Sequence, residues 1–156
     1  MAVKSAKLGS SRSLQKENFI LADLQGSPNV LGYYGDDVSI EKGRQFYNLF
    51  LEYASLGSIG DRVRRCSRVG LPKVEVKGFT KGILKGLKHV HKSNYVHCDL
   101  KLDNVLLVQT SDGVVPKLED FGLAKGVGKK KQQGSLRGTP LYMALESIHY
   151  AEYEPK

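Results

Sequence analysis

The sequence predicts an α+β fold, and three observations predict it. Apolar residues cluster at strand-like runs near the start and around residue 50. They recur at helical spacing over residues 13–24 and 79–93. Two further short apolar runs flank an Asp-Gly turn at 109–113. A length of 156 residues suggests one domain, and 40% hydrophobic with 26% charged residues is an ordinary globular composition.

The elements follow in order. Residues 1–6, MAVKSA, read as the end of a short strand. Residues 13–24, SLQKENFILADL, set Leu14, Ile20, Leu21 and Leu24 on one side of a helix. Glu17 lies three residues after Leu14 and four before Leu21, which puts its carboxylate on that apolar side. Two readings stand: an edge position whose carboxylate reaches water, or an inward Glu held by a cation such as Lys4. GSPN at 26–29 is a turn signal. VLGYYG and then FYNLFLEYA (46–54) read as strands, followed by a Gly and Ser hinge at 55–60. Asp61 is expected to open a short basic helix. Residues 79–93, FTKGILKGLKHVHKS, place Phe79, Ile83, Leu84, Leu87 and Val90 on one helical face. Gly82 and Gly86 weaken that helix locally, so a tertiary partner must hold it.

The stretch NYVHCDLKLDNVLLV, residues 94–108, is mostly apolar yet carries His97, Asp99, Lys101, Asp103 and Asn104. Unpartnered buried charge is costly, so these groups must face something polar. Val105–Val108 is a short strand, QTSDG a turn, and Val114–Glu119 the returning strand. Folded symmetrically about Asp112, position 105 faces 119 and Asn104 faces Asp120. Asp99 hangs from the loop just before them. An Asn and an Asp converging at a hairpin mouth form a hard-oxygen site of the kind magnesium prefers. Asp99 can accept a proton from an attacking hydroxyl, and Lys101 can neutralise a phosphoryl group in transit. Each residue alone is an ordinary capped turn or solvated charge; the joint pattern carries the reading.

Composition narrows the partners. The net charge is +8, much of it in Arg62, Arg64, Arg65 and Arg68 and in Lys129, Lys130 and Lys131. Neither cluster is interleaved with aromatics, so both read as solvated faces and no nucleic-acid partner is expected. No run of about 18 apolar residues exists, so no membrane insertion is expected. MAVKSAKLGSS has no apolar core of a secretory signal. Cys66 and Cys98 form no CxxC pair, which fits free thiols in a reducing compartment. The expected location is the cytoplasm, with the nucleus second. His89, His91, His97 and Cys98 as zinc ligands match no finger spacing.

HCDLKLDN at 97–104, DFG at 120–122 and GTPLYMALE at 138–146 occur in that order around a strand–turn–strand. With them the chain resembles the eukaryotic protein kinases, in particular the plant serine/threonine kinases of the mitogen-activated protein kinase kinase kinase group. The resemblance covers almost the whole chain. It implies a protein-kinase-like α+β fold, truncated. A partial small lobe and hinge of about three strands and one helix would occupy 1–54. The start of the helical large lobe, with catalytic loop and activation segment, would occupy 55–156. It implies transfer of the γ-phosphoryl group of ATP, with magnesium, to protein serine or threonine, in a cascade whose next member is a MAP kinase kinase. In MAVK, Lys4 matches the lysine that holds the ATP phosphates and Glu17 its helix partner. Leu51 matches the gatekeeper, and Glu52, Tyr53 and Ala54 the hinge whose backbone bonds adenine. His97 matches the structural histidine of the catalytic loop. Asp99 matches the catalytic base, Lys101 its helper, and Asn104 and Asp120 the magnesium ligands. Residues 120–146 match the activation segment. Lys101 and Thr139 are of the serine/threonine type.

The resemblance also has departures. Cys98 stands where an arginine usually pairs with an activation-loop phosphate, so little dependence on that switch is expected. Packing, more than thiol reactivity, is the reading of Cys98 itself. No glycine-rich loop precedes Lys4, and the chain stops soon after Glu146, so a partial domain is expected. Ile83, Leu84 and Leu87 would then stand partly bare. Leu145 replaces the proline of A-P-E, and Glu146 would lack its downstream arginine. Glu119 precedes DFG, where its carboxylate would repel nucleotide phosphates. The alternative reading is therefore a catalytically impaired, protein-binding module of kinase fold.

Overall fold

A computed structural model describes residues 1–66, 70–128 and 138–150, with the side chains of 146, 149 and 150 outside the description. Strand β1 (Ala2–Lys7) leads through a short 3-10 turn into helix α1 (Arg12–Asp23). Helix α1 buries Leu14, Ile20 and Leu21, and Leu24 just beyond it is fully buried. Full burial of each such side chain is worth roughly 1.5–3 kcal/mol, which is what fixes this helix against the sheet. Glu17 is buried on the same face, so the inward reading of that carboxylate is the one the structure adopts.

Strands β2 (Tyr33–Glu41) and β3 (Arg44–Leu51) complete an antiparallel sheet of order β1-β3-β2. The expected strand at 30–35 is displaced. Val30 instead bridges Leu118, and β2 runs on through Asp36 and Asp37 to Glu41. The cause is a tight hairpin turn at Lys42 and Gly43, both at positive φ (49° and 73°), the geometry two-residue hairpins favour. Residues 52–54 leave the sheet after Leu51.

Helix α2 (Ile59–Arg65) is opened by Ser58, not by Asp61. The Ser58 hydroxyl accepts the Asp61 N–H at 3.0 Å and the Asp61 carboxylate accepts the Ser58 N–H at 3.0 Å, a reciprocal capping box. Helix α3 (Lys73–Lys92) begins six residues earlier than the apolar periodicity suggested. Pro72 presets the entry, and Glu75 in the first turn pairs with Arg62 of α2 at 2.9 Å. Phe79 and Val90 are buried, Ile83 and Leu87 half-buried, and Leu84 is 61% exposed and off the packed face.

Strand β4 (Tyr95–Val96) pairs with β7 (Lys125–Gly126), and β5 (Val105–Thr110) forms a hairpin with β6 (Gly113–Leu118). The β5–β6 hairpin lies on α3 where the helix has no side chains. A Cβ at Gly82 would strike the Pro116 ring, and one at Gly86 would stand 2.7 Å from the Asn29 carbonyl. The glycines that weaken α3 intrinsically are thus what lets the hairpin approach it. The hairpin register differs by one from symmetry about Asp112: Val105 pairs with Leu118 and Thr110 with Gly113. The turn is the two-residue Ser111-Asp112, so Asn104 lies across from Glu119, and Asp120 follows. Helix α4 (Leu145–Tyr150) closes the described chain, with Leu145 72% exposed.

The two halves are joined at the base of the hairpin. The Leu31 N–H donates to the Leu118 carbonyl, and the Leu118 N–H to the Asn29 carbonyl, each at 2.9 Å. Lys117 pairs with Glu52 at 2.7 Å, both side chains mostly buried. The arginine cluster is engaged internally: Arg62 with Glu75, Arg64 with Asp61 and Asp103, and Arg65 with the Leu56 and Asp61 carbonyls. Arg68, Lys129, Lys130, Lys131 and the Glu146 side chain lie outside the described residues. No described helix is long and apolar enough to cross a membrane.

Candidate active site

One pole of the site forms around Lys4. Its ammonium stands 3.0 and 3.1 Å from the two oxygens of Glu17. It also stands 3.6 Å from Glu119 and 3.6 Å from Asp120. Strand β1 brings the lysine and α1 the glutamate, while the exit from β6 brings the other two carboxylates. Burial would lower the Lys4 ammonium, but the three carboxylates outweigh it and hold it above its ordinary value. Burial raises Glu17, with Lys4 opposing, and raises Glu119 in the same way. Glu17 also accepts the Phe121 N–H at 3.3 Å, which ties α1 to the turn after Asp120. Asp120 sits at φ 62°, in the left-handed region, a conformation that costs a residue with a Cβ and recurs at functional sites.

The second pole forms around Asp99, which is 7% exposed. One carboxylate oxygen accepts the Thr139 N–H at 2.8 Å and the Thr139 hydroxyl at 2.7 Å. The other accepts Lys101 at 2.9 Å and the Asn104 amide at 3.0 Å. Lys101 also donates to the Thr139 hydroxyl at 3.0 Å. Burial would raise the Asp99 carboxyl, but the bonds from Lys101 and Thr139 outweigh it and hold it below the usual range. Asp99 is therefore a carboxylate kept ionised in a half-dry setting. Bonding from Asp99 raises Lys101, with a contribution from Asp120, so the two poles share one field.

His97 stands between them. The Asp99 N–H donates to its Nδ1 at 3.3 Å, which assigns the proton to Nε2, and Nε2 donates to the Glu119 carbonyl at 2.9 Å. Its ring lies 4.8 Å from that of Phe121, which is fully buried. Burial lowers the His97 imidazole, in keeping with this neutral form. His89 bonds the Leu24 carbonyl at 3.1 Å, so the histidines serve separate contacts. Cys98, also in the left-handed region at φ 66°, is half-buried with its sulfur 3.4 Å from the Val96 carbonyl.

The residues present fit a magnesium nucleotide in two respects. The Asn104 amide nitrogen is bound to both the Asp99 carbonyl and its carboxylate, at 2.9 and 3.0 Å, which turns Oδ1 the other way. An amide oxygen and a carboxylate, as Asn104 and Asp120 carry them, are donor types magnesium takes when waters and phosphates complete its shell. At the end of β3, Leu51 is buried and Glu52 is clamped by Lys117. The Glu52 carbonyl and the Ala54 N–H make no hydrogen bond among the described residues, leaving an acceptor and a donor side by side. Sequence reasoning did not find the Thr139 bonds to Asp99 or the Lys117–Glu52 clamp. The GTP at 138–140 was the available signal for the first; nothing in the sequence signalled the second.

Comparison with known proteins agrees with this geometry. The family model for the protein kinase domain matches residues 1–156. Mitogen-activated protein kinase kinase kinase 20 of Arabidopsis thaliana is 40% identical over 98% of this chain, which spans 45% of that protein. Mitogen-activated protein kinase kinase kinase 17 of the same plant is 37% identical over 94% of the chain, or 38% of its own length. Serine/threonine-protein kinase pakF of Dictyostelium discoideum is 34% identical over the whole chain, 13% of its length. The chain thus spans less than half the length of these relatives, and it belongs to the protein kinase domain family.

Proposed function

We propose that this chain carries the phosphoryl-transfer centre of a serine/threonine protein kinase that uses Mg-ATP. The observation that supports this most is the Asp99 carboxylate, held by Lys101, Thr139 and Asn104 in one network. The Thr139 hydroxyl donates to Asp99 the same bond that a substrate serine or threonine would donate. Asp99 would orient that hydroxyl and take its proton as the bond to phosphorus forms. Lys101 would offset charge on the group in transit, and Lys4, positioned by Glu17, would bind the other phosphates. Asn104 Oδ1 and Asp120 would hold magnesium, which supplies charge neutralisation when bound. Leu51 would wall the adenine, and the Glu52 carbonyl and Ala54 N–H would bond its edge.

The similarity to the two plant kinases supports a place in a MAP kinase cascade, with a MAP kinase kinase as substrate. Two cysteines outside any disulfide agree with a cytoplasmic or nuclear setting. The test is transfer from labelled Mg-ATP to a generic serine/threonine protein, beside Asp99→Asn and Asp120→Asn. Transfer lost in both variants supports the reading; transfer that survives either one, or is absent throughout, opposes it. The three carboxylates on Lys4 favour a second reading, a kinase-fold module that binds protein without catalysis. A folded chain that takes up no Mg-ATP would support that one.

A further inference from the structure

We propose that Glu119 is a specificity residue that disfavours phosphate at Lys4, so that affinity does not rise from adenosine to ATP. This rests on the nucleotide reading above and adds to it which ligands the pocket prefers. Lys4 is one positive charge facing three negative ones: Glu17 at 3.0 Å, Glu119 at 3.6 Å and Asp120 at 3.6 Å. Two of the three have another role. Glu17 positions the lysine and accepts the Phe121 N–H. Asp120, at 41% side-chain exposure, is placed to have its charge met by a divalent cation. Glu119 has neither assignment.

Glu119 is also held in place. Its carbonyl accepts from His97 at 2.9 Å and its N–H donates to the Asn104 carbonyl at 3.0 Å. The backbone cannot carry the side chain away from Lys4 without breaking both bonds. At 20% side-chain exposure the carboxylate is weakly screened. Among the described residues Lys4 is the single cation within ion-pair distance of it. A phosphate approaching the open side of Lys4 meets this like charge at close range, and the opposition grows with each added phosphate. An uncharged adenosine does not meet it. Lys4 lies opposite Leu49 in β3, whereas the adenine-binding backbone begins after Leu51.

The experiment is calorimetric titration of the full chain, Glu119→Gln and Glu119→Ala with adenosine, ADP and ATP, with magnesium throughout. Gln keeps the size and removes the charge; adenosine binding reports an intact pocket. The expected result is that ATP binds the unaltered chain no more tightly than adenosine does. In both variants ATP should tighten by about tenfold or more while adenosine stays within about twofold. Equal shifts for adenosine and ATP, or weaker ATP binding in the variants, would overturn the proposal and leave the nucleotide reading standing. Failure of every ligand to bind any of the three chains would overturn the nucleotide reading and this proposal with it.

Discussion

The two poles of the site solve the same problem, a carboxylate beside a lysine, in opposite ways. Asp99 is one negative charge with four donors, from Lys101, Asn104 and both groups of Thr139. Lys4 is one cation among three carboxylates. The first pole is saturated and holds its charge steady. The second carries surplus negative charge, which a bound cation would relieve and a bound phosphate would aggravate. A lysine–carboxylate ion pair therefore says little about a site until every charge around it is counted.

Breaking the saturated pole should have the largest effect. Asp99→Asn is expected to lower phosphoryl transfer by about 10²–10⁴-fold, read in single-turnover assays. It also turns an amide nitrogen toward existing donors, so urea unfolding should show a loss of roughly 1–3 kcal/mol. Phe121→Ala, emptying the fully buried site between the poles, should cost about 3–5 kcal/mol by the same measurement.

Removing each lysine in turn sharpens the contrast. Lys4→Met strands Glu17 and Glu119 without their cation. Because the Lys4 side chain is 37% exposed, the loss at neutral pH is put at roughly 1–3 kcal/mol, below that of a fully buried pair. Lys101→Met leaves Asp99 its three other donors and should cost under about 1 kcal/mol. Equal losses in the two variants would erase the distinction between the poles.

The smallest effect is a pH slope. Burial holds the His97 imidazole below its free value, so the unfolded chain takes up a proton first. Stability from this group is therefore lost as pH falls through about 6.5. Glu17 and Glu119, raised chiefly by burial, act with the opposite sign: the folded chain binds their protons first, so acidification favours it. Thermal midpoints between neutral pH and pH 5 should thus fall more steeply in Glu119→Gln than in the unaltered chain. A shallower fall would show the sign to be wrong.

Much of this was legible in the sequence where periodicity or a three-dimensional argument was available. The place of Glu17 on the apolar side follows from its spacing to Leu14 and Leu21, but only the structure decides between the edge and the inward reading, with Lys4 as the cation that meets it. The α1 face was readable because four leucine and isoleucine positions agree. What escaped depended on backbone detail. The Lys42-Gly43 turn lacks the usual Asn-Gly or Asp-Gly pair, so the sequence carries little sign that β2 runs on to Glu41. Asp61 is the third helical residue of α2 and not its opening one, because the serine three residues before it is the better cap. The hairpin slipped by one because a symmetric fold about Asp112 ignores that Gly113 belongs to the strand. Gly82 and Gly86 read as weak points because the sequence shows propensity but not the neighbour that needs the space.

His97 touches both poles through backbone: the carbonyl of Glu119 on one side and the N–H of Asp99 on the other. The imidazole is thus a rigid strut one ring wide, and it sets the gap between the charge-rich end and the saturated end. Its face against Phe121 braces it from turning. A displacement of the Glu119 carbonyl would therefore bear on the imidazole first and, through it, on the backbone of Asp99.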